Sequence, residues 1–332
     1  MEIPGFIDLQ VNGYAGVDFQ DPKTSVDEIL EVAELLAARG TAGFLATVIT
    51  NYKEVMEQCV SNLTAAINKQ GKSGHILGIH LEGPFISPED GYRGVHPKAG
   101  VCLPDVGWVK KVQGLSGDNV RLITLAPELP NVPAFIKAVT PQIKVAIGHS
   151  SASFSDIRNA VGAGLSLATH IGNGCKQNIN RHDNPIINVL ACSEISLCFI
   201  ADGFHLPEAF IRTIINSRPI DKLIVVSDSV TFAGMRPGVY VMDGDLEVKV
   251  HENGKVCVAA DSNMLAGSGF NMMQCMNHLA SLGILPEQNL YKVGFVNPLK
   301  AIGRVPRAFK NRKNKVVYDS QNRAFELNSP GG

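Results

Sequence analysis

The chain has 332 residues, 45% of them apolar and 18% charged, with a formal net charge of −1. That composition fills the core of one large barrel or two modest domains, and its balanced charge, without a long Lys/Arg run, excludes a nucleic-acid footprint. No apolar run is long enough to span a membrane, and seven scattered cysteines without Cys-x-x-Cys spacing exclude a disulfide framework and a cysteine-zinc site.

The first apolar run, "GFIDLQVNG" (5–13), reads as a strand whose alternation puts Gln10 and Asn12 on one face. Met1 leads straight into it rather than into a signal peptide, so a reducing, cytoplasmic home is expected. Residues 26–40 have apolar positions at helical spacing and close on Gly40. Strand-like runs follow at 42–49, 76–83, 120–128 and 144–150. The stretch 151–164 opens on cap-type serines and closes on Gly164, as a helix does. Three more runs stand at 165–173, 196–205 and 222–229. Eight strands alternating with helices predict an α/β fold, a (β/α)₈ barrel. No internal repeat favours a solenoid.

His80, Glu82, His149, His170, His205 and Asp228 all fall at or just beyond the C-terminal ends of these runs. In a barrel, that is the face where catalytic groups gather. One such residue reads as structural; several on different strands point to a site.

Beyond 230 the pattern changes. Residues 238–260 alternate apolar and polar, with turn signals at Asp243-Gly244 and Asn253-Gly254, predicting a small antiparallel meander. Residues 268–283 read as an amphipathic helix whose methionines pack a core. The basic stretch 310–315 reads as a solvated turn, and 314–327 as a short hairpin. The expected organisation is a barrel over 1–310, with the meander inserted at about 237–260, and a tail over 311–332.

The motifs "PGFIDLQVNG", "HLEGPF" (80–85), "LAPE" (125–128), "GHS" (148–150), "ATH" (168–170), "IADGFH" (200–205), "VSD" (226–228) and "LAGS" (265–268) occur in order along these strands. Together they make the chain resemble the N-acetylglucosamine-6-phosphate deacetylases of the amidohydrolase superfamily, from about residue 4 to about residue 304. The first strand of such hydrolases often carries His-x-His where Gln10-x-Asn12 stands here; some family members share this Gln-x-Asn and keep one metal. The resemblance implies Glu82, His149 and His170 as ligands of one divalent ion, zinc first, with iron, cobalt or manganese compatible with the same donors. Gln10 and Asn12, poor ligands as neutral amides, are expected to orient water or substrate.

The resemblance further implies Asp228 as the catalytic acid/base and His96, in "RGVHP", near the substrate carbonyl or a sugar hydroxyl. It implies His205 at the sugar phosphate and backbone N–H groups of Asn173 and Gly174 turned towards the ligand. Arg181, eleven residues after His170, matches an arginine that crosses a two-fold interface to the neighbouring subunit's phosphate, which implies a homodimer. The implied partner is a small amino-sugar phosphate, with no nucleic acid and no membrane. A two-metal version is disfavoured by Gln10, Asn12 and the lack of a strand-end lysine, Lys144 standing at its strand's start.

Two departures bear on substrate and domains. Relatives usually carry β-structure ahead of the barrel that joins a C-terminal stretch in a small β-sandwich, so here that domain is expected to be missing or much reduced. The loop 171–185, "IGNGCKQNINRHDNP", replaces the usual residues after the second histidine ligand. The expected reaction is removal of the N-acetyl group from N-acetylglucosamine 6-phosphate. Alternatives are hydrolysis of another N-acyl sugar or amide, such as N-acetylgalactosamine 6-phosphate, and a non-catalytic sugar-phosphate-binding barrel.

Overall fold

The computed structural model describes residues 2–242, 246–309, 312 and 314–328. Eight strands form one parallel sheet in chain order: β1 (Phe6–Val11), β2 (Thr41–Ile49), β3 (Ile76–Glu82), β4 (Val120–Leu125), β5 (Lys144–Ile147), β6 (Leu167–Ala168), β7 (Ser196–Ile200) and β8 (Leu223–Val226). The ends meet at one isolated bridge, Val11 with Ser229, supported by Asn12 N–H to Ser229 O (2.8 Å) and Asp228 N–H to Gln10 O (3.1 Å). The expected barrel is therefore present and nearly closed. Its strands read as unbroken apolar runs because helices cover the outside while side chains fill the inside; β2 is buried from Thr41 to Val48.

The helices α1 (Val26–Ala38), α2 (Lys53–Gln70), α3 (Val106–Leu115), α4 (Val132–Val139), α5 (Phe154–Ala163), α6 (Pro185–Leu190) and α7 (Glu208–Ser217) each follow one strand. Local chemistry sets their starts. Ser25 and Glu28 form a reciprocal capping box on α1, and Ser153 and Asp156 do the same on α5, satisfying otherwise orphaned N–H groups. Helix α1 then buries Ile29, Val32, Ala33 and Leu36 against the barrel.

After β8 the meander has four strands rather than ending at 260: β9 (Gly238–Met242), β10 (Leu246–Val250), β11 (Val256–Val258) and β12 (Asp261–Leu265). The Asn253-Gly254 turn lies between β10 and β11 as expected, and Asp243-Gly244 lies outside the described residues. Helix α8 (Met272–Ser281) starts at an Asn271–Gln274 capping box, four residues later than the periodicity predicts, and buries Met272 and Met276.

The hairpin of β13 (Lys315–Asp319) and β14 (Ala324–Asn328) gains a third strand from Glu2–Ile3. Phe325 binds it to the barrel floor, its ring 4.9 Å edge-on from Phe6 and 5.6 Å from Tyr291. In the basic stretch, Lys310, Asn311 and Lys313 lie outside the described residues. Arg312, expected in a solvated turn, instead donates to the carbonyls of Ser73 and Gly74 and lies 5.4 Å from the Phe309 ring centroid. Its planar fork finds main-chain acceptors that a sequence reading does not reveal. Among the described residues, no helix is long and apolar enough to cross a membrane.

Candidate active site

At the C-terminal mouth of the barrel, three polar residues stand just past their strands in a left-handed backbone: His149 (φ 51°), His170 (φ 26°) and Asp228 (φ 53°). Each such conformation costs an L-residue on the order of 1–3 kcal/mol and persists only where its surroundings fix it. Glu82 ends β3 with regular geometry.

Three side-chain atoms converge. Glu82 Oε1 lies 3.2 Å from His149 Nε2 and 2.8 Å from His170 Nε2, and the two ring nitrogens are 3.1 Å apart. Three ligands at tetrahedral bond lengths around one zinc stand roughly 3.3 Å from each other, so the spacing suits a single ion. His149 is already set for that role: its Nδ1 donates to the Tyr92 carbonyl at 2.9 Å, which leaves the Nε2 lone pair facing the cluster. Gly174 makes room beside it, since a Cβ there would lie 2.8 Å from His149 Nδ1.

The electrostatics fit a cation. Burial alone would raise the Glu82 carboxyl, but the adjoining imidazoles of His149 and His170 hold it well below the usual carboxylate range. Burial opposes a charge on His170, yet Glu82 overcomes it and lifts that imidazole to about 9. Metal ligation by one carboxylate and two imidazoles displaces protons from such groups. Among the described residues, this is the one group of three or more His, Cys, Asp or Glu side chains arranged to hold a metal.

Asp228 stands beside the cluster. Its Oδ1 accepts the Asn12 side-chain amide at 2.7 Å. Burial raises its carboxyl, the Glu82 charge adds to the effect, and the group reaches about 6 despite His170, His205 and Asn12 pulling it down. His96 is 3% exposed, its ring 4.3 Å from that of His149, and its Nδ1 has no partner among the described residues. Burial, followed by the neighbouring His149, pushes its imidazole down to about 3, so His96 is neutral at physiological pH.

These groups open on a cavity of about 360 Å³, which Asn173, Gly174 and His205 also line and Met242, Met264 and Leu265 of the meander border. Asp202 orients His205, accepting its ring Nδ1 at 2.7 Å and its backbone N–H at 2.9 Å. Three expectations need adjustment, those for His80, Gln10 and the Asn173 N–H. His80 lies inside the barrel, below the mouth, where its Nε2 meets Thr124 Oγ1 at 2.8 Å; burial lowers it to about 4. Gln10 is 2% exposed and is not among the cavity-lining residues, since it stands two places before Asn12 on the same face and so a layer deeper. The Asn173 N–H is taken by its own turn, donating to His170 O at 3.0 Å. Arg181 is exposed and apart from the lining of this chain's cavity.

Sequence reasoning missed two buttresses. Asp8 clasps Ser227, and Glu128 accepts Ser150 Oγ (2.7 Å), Ser151 N–H (2.7 Å) and Ser151 Oγ (3.1 Å) beside His149. Glu128 closes the quoted "LAPE", and Asp8 shares the alternating face of Gln10 and Asn12; those were the available signals.

No family model matches the chain. Among curated proteins it is 31% identical over 301 residues to an N-acetylglucosamine-6-phosphate deacetylase of Lysinibacillus sphaericus, covering 89% of this chain and 74% of that one. It is 32% identical over 310 residues to the enzyme so named in Bos taurus, covering 90% of this chain and 74% of that one. Among solved structures, a Mycobacterium smegmatis N-acetyl-D-glucosamine-6-phosphate deacetylase in complex with N-acetyl-D-glucosamine-6-phosphate superposes with a TM-score of 0.85 at 28% identity, covering 99% of this chain and 85% of that one. An N-acetylglucosamine-6-phosphate deacetylase from Thermotoga maritima gives a TM-score of 0.82 at 25% identity, over 98% and 85% of the two chains.

Proposed function

The chain belongs to the N-acetylglucosamine-6-phosphate deacetylase family of amide hydrolases, and we propose that it releases acetate from N-acetylglucosamine 6-phosphate with a single divalent ion held by Glu82, His149 and His170. The observation that carries this reading is the convergence of those three buried donors with Asp228 beside them at the barrel mouth. Zinc is the first candidate, and iron, cobalt or manganese fit the same donor set. When bound, the ion supplies Lewis-acid polarisation and makes water a stronger acid.

The chain's own groups then divide the proton work. Asp228 takes a proton from the attacking water and returns it to the amine as the C–N bond breaks. Asn12 holds that carboxylate in place through the 2.7 Å hydrogen bond. His96, neutral and buried, donates to the amide oxygen as negative charge collects there. His205, fixed by Asp202, and the turn at Asn173 and Gly174 face the sugar phosphate. Gln10 supports this wall from below.

Arg181 belongs to the neighbouring subunit's site in this reading. Its exposure away from its own cavity agrees with a homodimer in which each guanidinium grips the partner's substrate, since a paired fork of donors suits phosphate. All seven cysteines are free, which suits a reducing cytoplasm.

Acetate release measured over N-acetylated glucosamine and galactosamine, each with and without a 6-phosphate, tests the substrate. N-Acetylglucosamine 6-phosphate should lead by kcat/KM; equal turnover of all four sugars would refute phosphate recognition.

A further inference from the structure

Asp8 is a buried carboxylate with no part in the chemistry above. It lies in β1, 1% exposed, on the face that Gln10 and Asn12 continue. Oδ1 accepts the backbone N–H groups of Gln10 (3.2 Å) and Ser227 (3.1 Å), while Oδ2 accepts the Ser227 hydroxyl at 2.5 Å. Ser227 Oγ in turn accepts the Ser229 N–H at 3.1 Å. One carboxylate therefore organises the residues on both sides of Asp228.

We infer that Asp8 is a positioning residue for the deacetylation: by clasping Ser227 across the seam between β1 and β8, it fixes the left-handed backbone of Asp228 and so aims its carboxylate.

The seam needs such a device. Ladders of two or more residue pairs hold the other barrel strands side by side, but β1 and β8 meet in a single isolated bridge. Asp228 must hold φ 53° in the residue just before that bridge, a conformation an L-residue leaves unless its neighbours enforce it. The main chain supplies three restraints: Asp228 N–H to Gln10 O, Ser268 N–H to Asp228 O, and Asn12 N–H to Ser229 O. Among the described residues, Asp8 is the group that ties residue 227 to the opposite strand through both its backbone and its side chain, with the Ser227 hydroxyl also 3.5 Å from Gln10 O.

Closing a barrel does not by itself call for a carboxylate. Burial pushes Asp8 up to about 7; the Ser227 and Gln10 hydrogen bonds pull it back, and the Asp228 charge pushes the same way as burial. An apolar side chain would fill this place without that penalty. What it cannot do is accept two N–H groups and a hydroxyl at the entrance to a strained turn. The acceptor therefore answers a geometric need at the residue that follows.

This inference rests on the reading of Asp228 as proton acceptor. The test compares metal-loaded wild type, Asp8→Asn, Asp228→Asn and the double variant for kcat, KM and metal content. Asparagine keeps the shape but presents an amide where the Ser227 hydroxyl needs an acceptor. Asp8→Asn should lose about tenfold to a hundredfold in kcat, in line with small displacements of a reacting group. Its KM and metal content should stay at wild-type values, and it should add no loss in the Asp228→Asn background. An unchanged kcat, or the same factor lost in both backgrounds, overturns the inference. If Asp8→Asn does not fold, Ser227→Ala, which removes only the hydroxyl, should give the same pattern with a smaller loss; wild-type kcat there overturns it equally. Full turnover by Asp228→Asn would instead sink the assignment of Asp228 itself.

Discussion

The strand ends and the 171–185 loop face the same cavity but are built differently. Glu82, His149 and His170 are at most 7% exposed, and each is fixed by its strand and by hydrogen bonds to fixed partners. From Lys176 to Asp183 the loop is almost wholly exposed, and Lys176 is anchored by a solvent-facing pair with Glu89 at 2.9 Å. Surface pairs of that kind contribute about 0–1 kcal/mol. The difference shows that the proposed reaction groups sit in the rigid part of the fold, while the outer loop, proposed to meet the substrate, rests on weak local contacts and can diverge without disturbing them.

Substitutions can break or sharpen that contrast. The largest effect is expected at the strand ends: His149→Asn should lose the metal and bring acetate release to background. Wild type should carry about one divalent ion per chain, as one open tetrahedral site requires; elemental analysis of both proteins checks this. Asp228→Asn should retain the metal and lose on the order of 10²–10⁴-fold in kcat, the usual weight of acid–base catalysis.

The pH profile follows from the same residue. Asp228 acts as acceptor only when ionised, and its carboxyl stands at about 6 in this structure. Turnover should therefore fall as pH drops through about 6, and a bound cation, favouring the ionised form, moves that limb lower. An acid limb near pH 8 would point to another base.

The hinge between the two regions comes next. Gly174→Ala places a Cβ 2.8 Å from His149 Nδ1 at a backbone φ of +60°. It should cost about 1–2 kcal/mol of stability from the left-handed backbone. It should also lower kcat about tenfold by displacing the imidazole. Denaturant melts and steady-state kinetics read the two effects separately. The smallest effect is expected in the loop: Arg181→Ala should raise KM for the phosphorylated sugar about tenfold, the size of one charge-assisted hydrogen bond, and leave kcat and the unphosphorylated sugar unaffected.

Legibility in the sequence follows the same division. All eight barrel strands were readable because parallel strands covered on both faces are unbroken apolar runs, and Glu82, His149, His170, His205 and Asp228, at or beyond the ends of five of them, marked the mouth. The strand rule misplaced His80, which sits two residues before the end of β3 and turns into the barrel. Nothing in the letters His149, His170 and Asp228 announces a left-handed backbone, because only glycine advertises that freedom. Asp8 was hidden for a related reason: its partner Ser227 is 219 residues away, and no local pattern reports that pairing. Arg312 looked solvated because its acceptors are carbonyls of a distant turn.

In the proposed reaction, one ion among Glu82, His149 and His170 is needed for hydrolysis of the N-acetyl group. Acetate release from N-acetylglucosamine 6-phosphate by the purified protein, before chelation, after chelation, and after one equivalent of zinc is returned, tests it most directly. The expected result is one acetate per amine formed, loss of activity on chelation, and recovery that saturates at about one ion per chain. Full acetate release by a protein freed of metal, or recovery that requires two ions per chain, would contradict it.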